Sequence, residues 1–134
     1  MIARTWRGAT RADDAERYTT YLFETGVAAL RATPGNAGTL VLRRIVGDRA
    51  EFTVLSFWDD EAAIRRFAGD DPGRAVFYPA DDAFLVERET RVDHWEVAPE
   101  ESPGAGAGEA AEAPTGVGAG WRGARRAGRS APDA

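Results

Sequence analysis

A break in composition after residue 98 is the feature that most limits how this chain of 134 residues can fold. The first 98 residues hold 12 of the 13 aromatic side chains and almost all of the large aliphatic ones. Residues 99–134 contain 22 Ala, Gly or Pro in 36 positions, and only Val117 and Trp121 could add to an apolar core. Such a segment cannot bury enough apolar surface to offset its loss of conformational entropy. We therefore expect a folded domain over residues 1–98 and a disordered tail over residues 99–134.

The residue types that the chain lacks exclude several kinds of functional site. There is no Cys, so a disulfide framework, a thiolate zinc site and a catalytic thiol are ruled out. The single His cannot build a multi-histidine metal site, and we predict no metal. Residues 1–98 carry 13 Arg against 17 Asp and Glu, and no nucleic-acid partner is expected because such binding usually needs a basic face. Since we find no apolar run typical of a signal peptide or a membrane span, we predict a cytoplasmic protein without a membrane partner.

Two helices are indicated by the spacing of apolar residues. The first is predicted over residues 11–31 with a break at Gly26, because small or apolar side chains recur at helical spacing at Ala15, Tyr18, Leu22, Thr25 and Ala29. The second, shorter helix is predicted to be capped by Asp59 and closed by Gly69. A helical turn is predicted over residues 79–84, where Asp81 and Asp82 are interpreted as partners of the helix dipole rather than as metal ligands.

Four strands are predicted around these helices, over residues 2–7, 39–46, 51–58 and 86–97. The order is then β-α-β-β-α-β, the ferredoxin-like arrangement of an α+β domain, with a four-stranded antiparallel sheet and its helices on one face. The two middle strands, joined by a turn at Gly47-Asp48, are apolar on both faces. Since the helices cover only one face of the sheet, we predict that a second copy of the chain covers the other face in a homodimer.

Several short motifs in these elements resemble those of one known family. They are Arg4-x-Trp6-x-Gly8, Pro34-Gly35-Asn36-x-Gly38, Ser56-Phe57-Trp58-Asp59, Ile64-x-x-Phe67-Ala68-Gly69 and Val92-x-His94-Trp95-Glu96-Val97. The pattern is similar to the antibiotic-biosynthesis-monooxygenase-like domains of the dimeric α/β barrel superfamily. The resemblance covers residues 1–98 and implies a ferredoxin-like fold, a homodimer, and a cavity between the sheet and the helices of each protomer.

The resemblance also implies an activity. Family members of known function oxidise aromatic or quinol-like substrates with O2 and need neither metal nor flavin, so a cofactor-independent monooxygenase is expected. Haem-degrading relatives use a Trp near the end of the third strand, an Asn on the first strand and a His on the second helix. Trp58 matches that Trp, but the first strand has no Asn and the second helix no His, so haem is not expected as a cofactor. A non-catalytic dimeric ligand-binding protein and an isomerase or cyclase of the same fold remain alternatives.

His94 is the candidate catalytic residue, because imidazole has an ordinary pKa of about 6.5, which is near neutrality. It could act as a general base towards a phenol, or alternatively be a structural residue that is hydrogen-bonded at the dimer interface. Arg4 lies among apolar neighbours and could bind a phenolate or carboxylate of the substrate. A pair between Arg4 and Glu96 or Asp93 on a neighbouring strand is slightly favoured over that role.

Four aromatic residues complete the candidate substrate-binding site. Trp6, on the same strand face as Arg4, and Trp58, at the end of a strand, are expected to form walls of the cavity. Tyr18 on the first helix could donate a hydrogen bond to a substrate oxygen, and Tyr78 lies in an irregular segment that could form a further wall. For Trp58 and Tyr18 the alternative is a purely structural place in the core.

Overall fold

A computed structural model describes residues 1–100 of the chain, so most of the predicted tail lies outside the described residues. The strands are β1 (Ile2–Arg11), β2 (Asn36–Val46), β3 (Arg49–Trp58), β4 (Leu85–Arg88) and β5 (Asp93–Glu96). The helices are a 3-10 turn (Ala12–Asp14), α1 (Ala15–Glu24), α2 (Gly26–Ala32), α3 (Glu61–Ala68) and α4 (Asp81–Phe84). Within residues 1–100, no helix is both long and apolar enough to cross a membrane.

The strands form one antiparallel sheet with β1 at its centre. The order is β2-β3-β1-β4. Strand β5 pairs with the same edge of β1 as β4 does, but at the other end of β1, along Ile2 to Thr5. The longest central pairing joins β1 to β3 along its whole length, from Ile2 opposite Trp58 to Arg11 opposite Arg49. The prediction of an α+β, ferredoxin-like domain is thus confirmed, because both middle strands and the terminal strands occur in the expected order.

The last strand differs from its prediction. A single strand over residues 86–97 was expected, and that is wrong, because the chain forms two short strands, β4 and β5, which give the sheet five strands. Between them, residues 90–92 turn away to bond with the segment before α4. The Ala75 N–H donates to the Thr90 carbonyl at 3.0 Å, and the Val92 N–H donates to the Gly73 carbonyl at 2.9 Å. These bonds use backbone groups that would otherwise continue the ladder on β1.

Helix boundaries follow local chemistry, with two shifts from the predictions. The predicted break at Gly26 is confirmed, since α1 ends at Glu24 and Thr25 adopts a non-helical backbone before α2 begins. The first helix starts later than residue 11, which still belongs to β1. The cap of α3 is Asp60 rather than Asp59, because the Asp60 carboxylate accepts the N–H of Ala63 at 2.9 Å.

The core lies between one face of the sheet and helices α1, α2 and α3. On the sheet side its largest residues are Phe52, Val54 and Trp58, which alternate along β3 and point towards the helices. The helices contribute the buried residues Tyr18, Leu22, Val27, Leu30, Ala63 and Ile64. Because all three helices pack on this face, the opposite face of the sheet has no covering layer among the described residues.

We call that opposite face the outer face. The register places Leu40 opposite Leu55, and Ala3 opposite both Phe57 and Trp95, all on this side. Leu40 and Trp95 are 52% and 57% exposed. Ion pairs lie on the same face beside the apolar residues: Arg7 with Glu89 at 2.6 Å, Arg7 with Asp93 at 3.1 Å and Arg44 with Glu51 at 2.8 Å.

Candidate functional site

A pocket lies between the sheet and the helices, with a volume of about 50 Å³. Its wall is mostly apolar and aromatic and includes Trp6, Leu22, Leu30, Val54, Phe67 and Phe77. Four polar side chains also reach the wall, and they are Arg4, Tyr18, Tyr78 and Asp81. An apolar pocket with a few convergent polar groups is the usual form of a small-molecule site.

The pocket is narrow in this conformation. A water molecule needs at least about 10–15 Å³, so the space holds a few waters, whereas an engineered cavity that binds benzene is roughly 150 Å³. An aromatic ligand therefore requires the wall to open. The segment over residues 69–80 has no helix or strand and supplies the lining residues Ala75 to Tyr78, so we expect this part of the wall to move.

One polar cluster is centred on the carboxylate of Asp81, which is 5% exposed. The Tyr18 hydroxyl donates to one carboxylate oxygen at 2.9 Å, and the backbone N–H of Tyr78 donates to the other at 2.7 Å. Burial, together with the negative charge of Asp81, raises the pKa of Tyr18 far above its ordinary value. Tyr18 is therefore protonated at any physiological pH, and two donors hold the Asp81 side chain at the pocket wall.

The second polar group is the guanidinium of Arg4, which is 5% exposed. One terminal nitrogen donates to the Arg74 carbonyl at 2.8 Å, and the guanidinium carbon lies 5.3 Å from the centre of the Phe67 ring. The Nε–H of Arg4 is buried and has no hydrogen-bond partner. Burial lowers the pKa of Arg4 to about 10, so the side chain is still a cation at neutral pH.

The favoured alternative for Arg4, an ion pair with Glu96 or Asp93, is not formed. Asp93 pairs instead with Arg7 on the outer face, and Glu96 lies opposite Ile2. Within residues 1–100, Arg4 forms no ion pair with any carboxylate, and the only other charged residue in the pocket wall is Asp81. Asp81 accepts hydrogen bonds from Tyr18 and Tyr78 but makes none with Arg4, so within residues 1–100 the guanidinium is a buried cation without a carboxylate partner.

Trp6 and Tyr78, two further residues singled out in the sequence, also line the pocket. The Trp6 Nε1–H donates to the Glu89 carbonyl at 2.9 Å, and its ring packs edge-on against Phe77 at 6.3 Å between ring centres. Burial raises the pKa of the half-buried Tyr78 hydroxyl. The structure thus brings Arg4, Trp6, Tyr18 and Tyr78 together around one space.

His94 and Trp58 do not line the pocket. His94 is exposed on β5 directly opposite Arg4, so it faces the helix side of the sheet rather than the outer face. Desolvation and the positive charge of Arg4 lower the pKa of His94 below the ordinary value of an imidazole. Trp58 is fully buried, where its Nε1–H donates to the Ser56 hydroxyl at 2.9 Å. The catalytic role of His94 and the ligand contact of Trp58 stay predictions.

Asp81 is the one polar residue of the pocket wall that the sequence did not identify as part of the site. Its position at the start of a short helix favoured a role at the helix dipole, and it does lie in the first turn of α4. The available signal was the proximity of Tyr78 and Asp81 in an irregular segment. Nothing local indicates that Tyr18, 63 residues earlier, completes the cluster.

A family model described as antibiotic biosynthesis monooxygenase matches residues 1–76, more than half of the chain. This chain belongs to that family. The match includes β1, the helices α1 to α3 and the hairpin, and therefore the strand that carries Arg4 and Trp6. It ends just before Tyr78 and Asp81, so the family model covers Arg4 and Tyr18 but not the other two members of the Asp81 cluster. The comparison with curated proteins found no match to this chain.

Solved structures show the same fold at low sequence identity. PA3566 from Pseudomonas aeruginosa is 18% identical, with 73% of this chain and 94% of that chain covered and a TM-score of 0.52. SnoaB, a cofactor-independent oxygenase from Streptomyces nogalater, is 19% identical, with 76% and 96% covered and a TM-score of 0.48. MhuD, with manganese protoporphyrin IX bound, is 18% identical, with 76% and 99% covered and a TM-score of 0.47.

These comparisons correct the prediction that the protein uses no cofactor and that haem is not expected. The prediction is wrong because it took the similar proteins to work without a cofactor, whereas MhuD holds a porphyrin in its active site. The residues of this pocket nevertheless do not fit a haem. The described wall contains no His, Cys or Met for the iron, the raised pKa of Tyr78 disfavours a phenolate ligand, and the volume is about 50 Å³.

Proposed function

We propose that this protein is an oxygenase that binds an aromatic, quinol-like small molecule in the pocket and oxidises it with O2. The observation that carries the proposal is one space in which an aromatic wall meets a buried carboxylate, Asp81, and a buried cation, Arg4. Family membership supports oxygenase chemistry. The wall would bind the ring, and the two charged groups would act on its oxygens.

The chemistry begins with a proton transfer. The phenolic O–H of the substrate gives its proton to Asp81, which keeps the hydrogen bond from Tyr18, and the phenolate is stabilised by Arg4. The electron-rich ring then reduces O2. For a hydroquinone, one oxygen atom enters a ring C–H position to give a hydroxyquinone, and the other leaves as water. The quinol loses four electrons and O2 gains four. His94, next to Arg4 but outside the pocket wall, is the second candidate for the proton acceptor.

Oxygen uptake with a panel of hydroquinones and anthrones, with and without added haemin, tests this function. We expect one O2 consumed per substrate, and we expect the His94→Ala variant to keep most of its activity because His94 lies outside the pocket wall. Uptake that is absent for every substrate, with ligands still raising the melting temperature, would favour the non-catalytic binding protein. Product formed under anaerobic conditions would favour the isomerase or cyclase.

The proposal includes a homodimer formed through the outer face. Leu40 and Trp95 are each more than half exposed there, next to the partly buried Leu55 and Phe57. A contiguous apolar surface of this kind on a sheet face is costly to leave in water, and a two-fold axis lets the same patch cover itself. The adjoining ion pairs of Arg7 would then lie at the edge of the interface, where they could set its register.

Replacing Leu40 with aspartate is expected to convert the dimer into a monomer, because the new carboxylate would be buried at the interface without a partner. Light scattering on the full chain measures the mass. Phe23→Asp is the matched control, since Phe23 is 42% exposed on α1 rather than on the outer face, and its dimer should persist. A wild-type monomer at micromolar concentration, or a Leu40→Asp variant that stays dimeric, would contradict the proposed interface.

A further inference from the structure

We propose that the pocket binds its aromatic ligand as an anion, with a carboxylate or phenolate oxygen on the guanidinium of Arg4. This inference rests on the proposed function in assuming that the same pocket is the ligand site, and it adds the charge of the ligand. The groups that surround Arg4 indicate a negatively charged ligand. They leave a buried cation in contact with a carbonyl and an aromatic ring, and with no carboxylate of residues 1–100.

An unpaired cation at 5% exposure is an expensive feature to retain. Desolvation disfavours the charged form of Arg4, and one carbonyl with one ring face replaces only part of its lost hydration. The Nε–H has no partner at all. An anion next to the guanidinium would accept a hydrogen bond from the Nε–H and would also neutralise the positive charge, as in a charge-assisted hydrogen bond.

The protein's own carboxylates are held away from this position. Asp81 shares the pocket wall, but its two oxygens accept from Tyr18 and from the Tyr78 backbone. Arg4 lies opposite His94 on β5. The neighbouring acid, Asp93, pairs with Arg7 on the outer face. Within residues 1–100 no carboxylate serves as the counter-ion of Arg4, and we assign that place to the ligand, which a neutral phenol fills only once it has lost its proton.

Position on the strand explains why Arg4 can discriminate between ligands. It sits on the same face as Trp6, two residues away, so an aromatic ring against the tryptophan places a ring substituent near the guanidinium. A guanidinium at a fixed site favours a planar carboxylate or phenolate over a neutral ester or amide of the same shape. The pocket would select on charge at one end and on ring shape at the other.

Calorimetric titration of the full chain at constant salt tests the inference. The probes, titrated in anaerobic buffer so that neither is oxidised, are 2,5-dihydroxybenzoate and its methyl ester, which share a ring and differ in charge. We expect the acid to bind at least about tenfold more tightly than the ester. Titration with 4-nitrophenol below and above its own ionisation distinguishes the second source of the anion, since binding that strengthens as the phenol ionises identifies a phenolate.

Two variants assign any preference to Arg4. Arg4→Met should remove the preference for the acid, and Arg4→Lys should keep part of it. The matched control is Arg74→Met, which removes an exposed arginine beside the pocket but leaves the backbone carbonyl that Arg4 contacts. Its preference should be unchanged. The wild-type comparison of acid with ester needs no variant, so a folding defect in Arg4→Met does not remove the test.

Three results decide the matter. Equal affinity for the acid and the ester, together with no strengthening as 4-nitrophenol ionises, would overturn the anion site, even if hydroquinones consume O2 and the oxygenase stands. A preference that survives in Arg4→Met, or is lost in Arg74→Met, would also overturn it. An Arg4-dependent preference without any O2 uptake would support the anion site and sink the oxygenase instead.

Discussion

Replacing Asp81 with asparagine is expected to lower the turnover number in the oxygen-uptake assay by about 10²–10⁴-fold, the usual contribution of a general base. Asparagine has nearly the same shape, but it cannot accept the phenolic proton. Tyr18 and the Tyr78 N–H donate to different carboxylate oxygens, and asparagine replaces one of those oxygens with an NH2 group, so one of the two hydrogen bonds is lost or reversed. We therefore also expect about 1–3 kcal/mol of destabilisation, to be measured separately by urea unfolding.

The matched control is Asp82→Asn, one residue further along α4. The Asp82 carboxylate is largely exposed and pairs with Arg88 at 2.8 Å. Its loss should change stability only slightly and turnover very little, because exposed pairs contribute about 0–1 kcal/mol. Should Asp81→Asn retain full turnover while His94→Ala loses it, the proton acceptor is His94 and the role of Asp81 is confined to holding Tyr78 and Tyr18 in place.

Replacing Trp58 with alanine is expected to reduce the free energy of unfolding by about 3–5 kcal/mol, as for other buried large aromatic residues. The ring is fully buried between the sheet and α3, stacks at a tilt against Phe67 with ring centres 6.2 Å apart, and donates to Ser56. Truncation would leave a cavity and an unpaired hydroxyl. Equilibrium urea unfolding, followed by far-ultraviolet circular dichroism, measures the change.

Trp58→Phe separates the structural role from the predicted contact with the ligand. It keeps an aromatic ring near Phe67 and loses only the outer ring and the N–H donor, so its destabilisation should be clearly smaller. Because Trp58 does not line the pocket, KM should stay close to the wild-type value. A large increase in KM without a change in stability would instead indicate that Trp58 contacts the ligand.

Much of the fold could be predicted because its signals are local. Short runs rich in β-branched, aliphatic and aromatic residues predict the strands over Leu40 to Val46 and Phe52 to Trp58, and Gly47, at φ +61°, makes the turn between them. Gly26 divides the first helix and Gly69 ends the third. Each signal lies within a few residues of the feature that it predicts. The division into a domain over residues 1–98 with a tail, and the cytoplasmic location, stay predictions of the same composition.

The last strand shows where local patterns fail. Residues 86–97 contain no Gly or Pro that would interrupt one long strand, yet Thr90 and Val92 bond to Ala75 and Gly73 instead of continuing along β1. That competition comes from an irregular segment whose path has no periodic signal. The predicted ion pair of Arg4 is absent for the same reason. Arg7 pairs with Asp93 and Glu89 on one side of the sheet, and Arg4 pairs with no acid of residues 1–100 on the other.

The sequence by itself determined the class of fold, the family resemblance, the absence of thiol chemistry and four of the residues that surround the pocket. Only the tertiary structure decided which of them form a site. The Tyr18–Asp81 bond joins residues 63 apart, and the Arg4–Arg74 bond joins residues 70 apart. Secondary structure depends on neighbours within a turn or a strand, whereas a buried charge is defined by whichever distant groups the fold brings against it. That is why Arg4 and Asp81 could be given their roles only after folding had placed them in one wall.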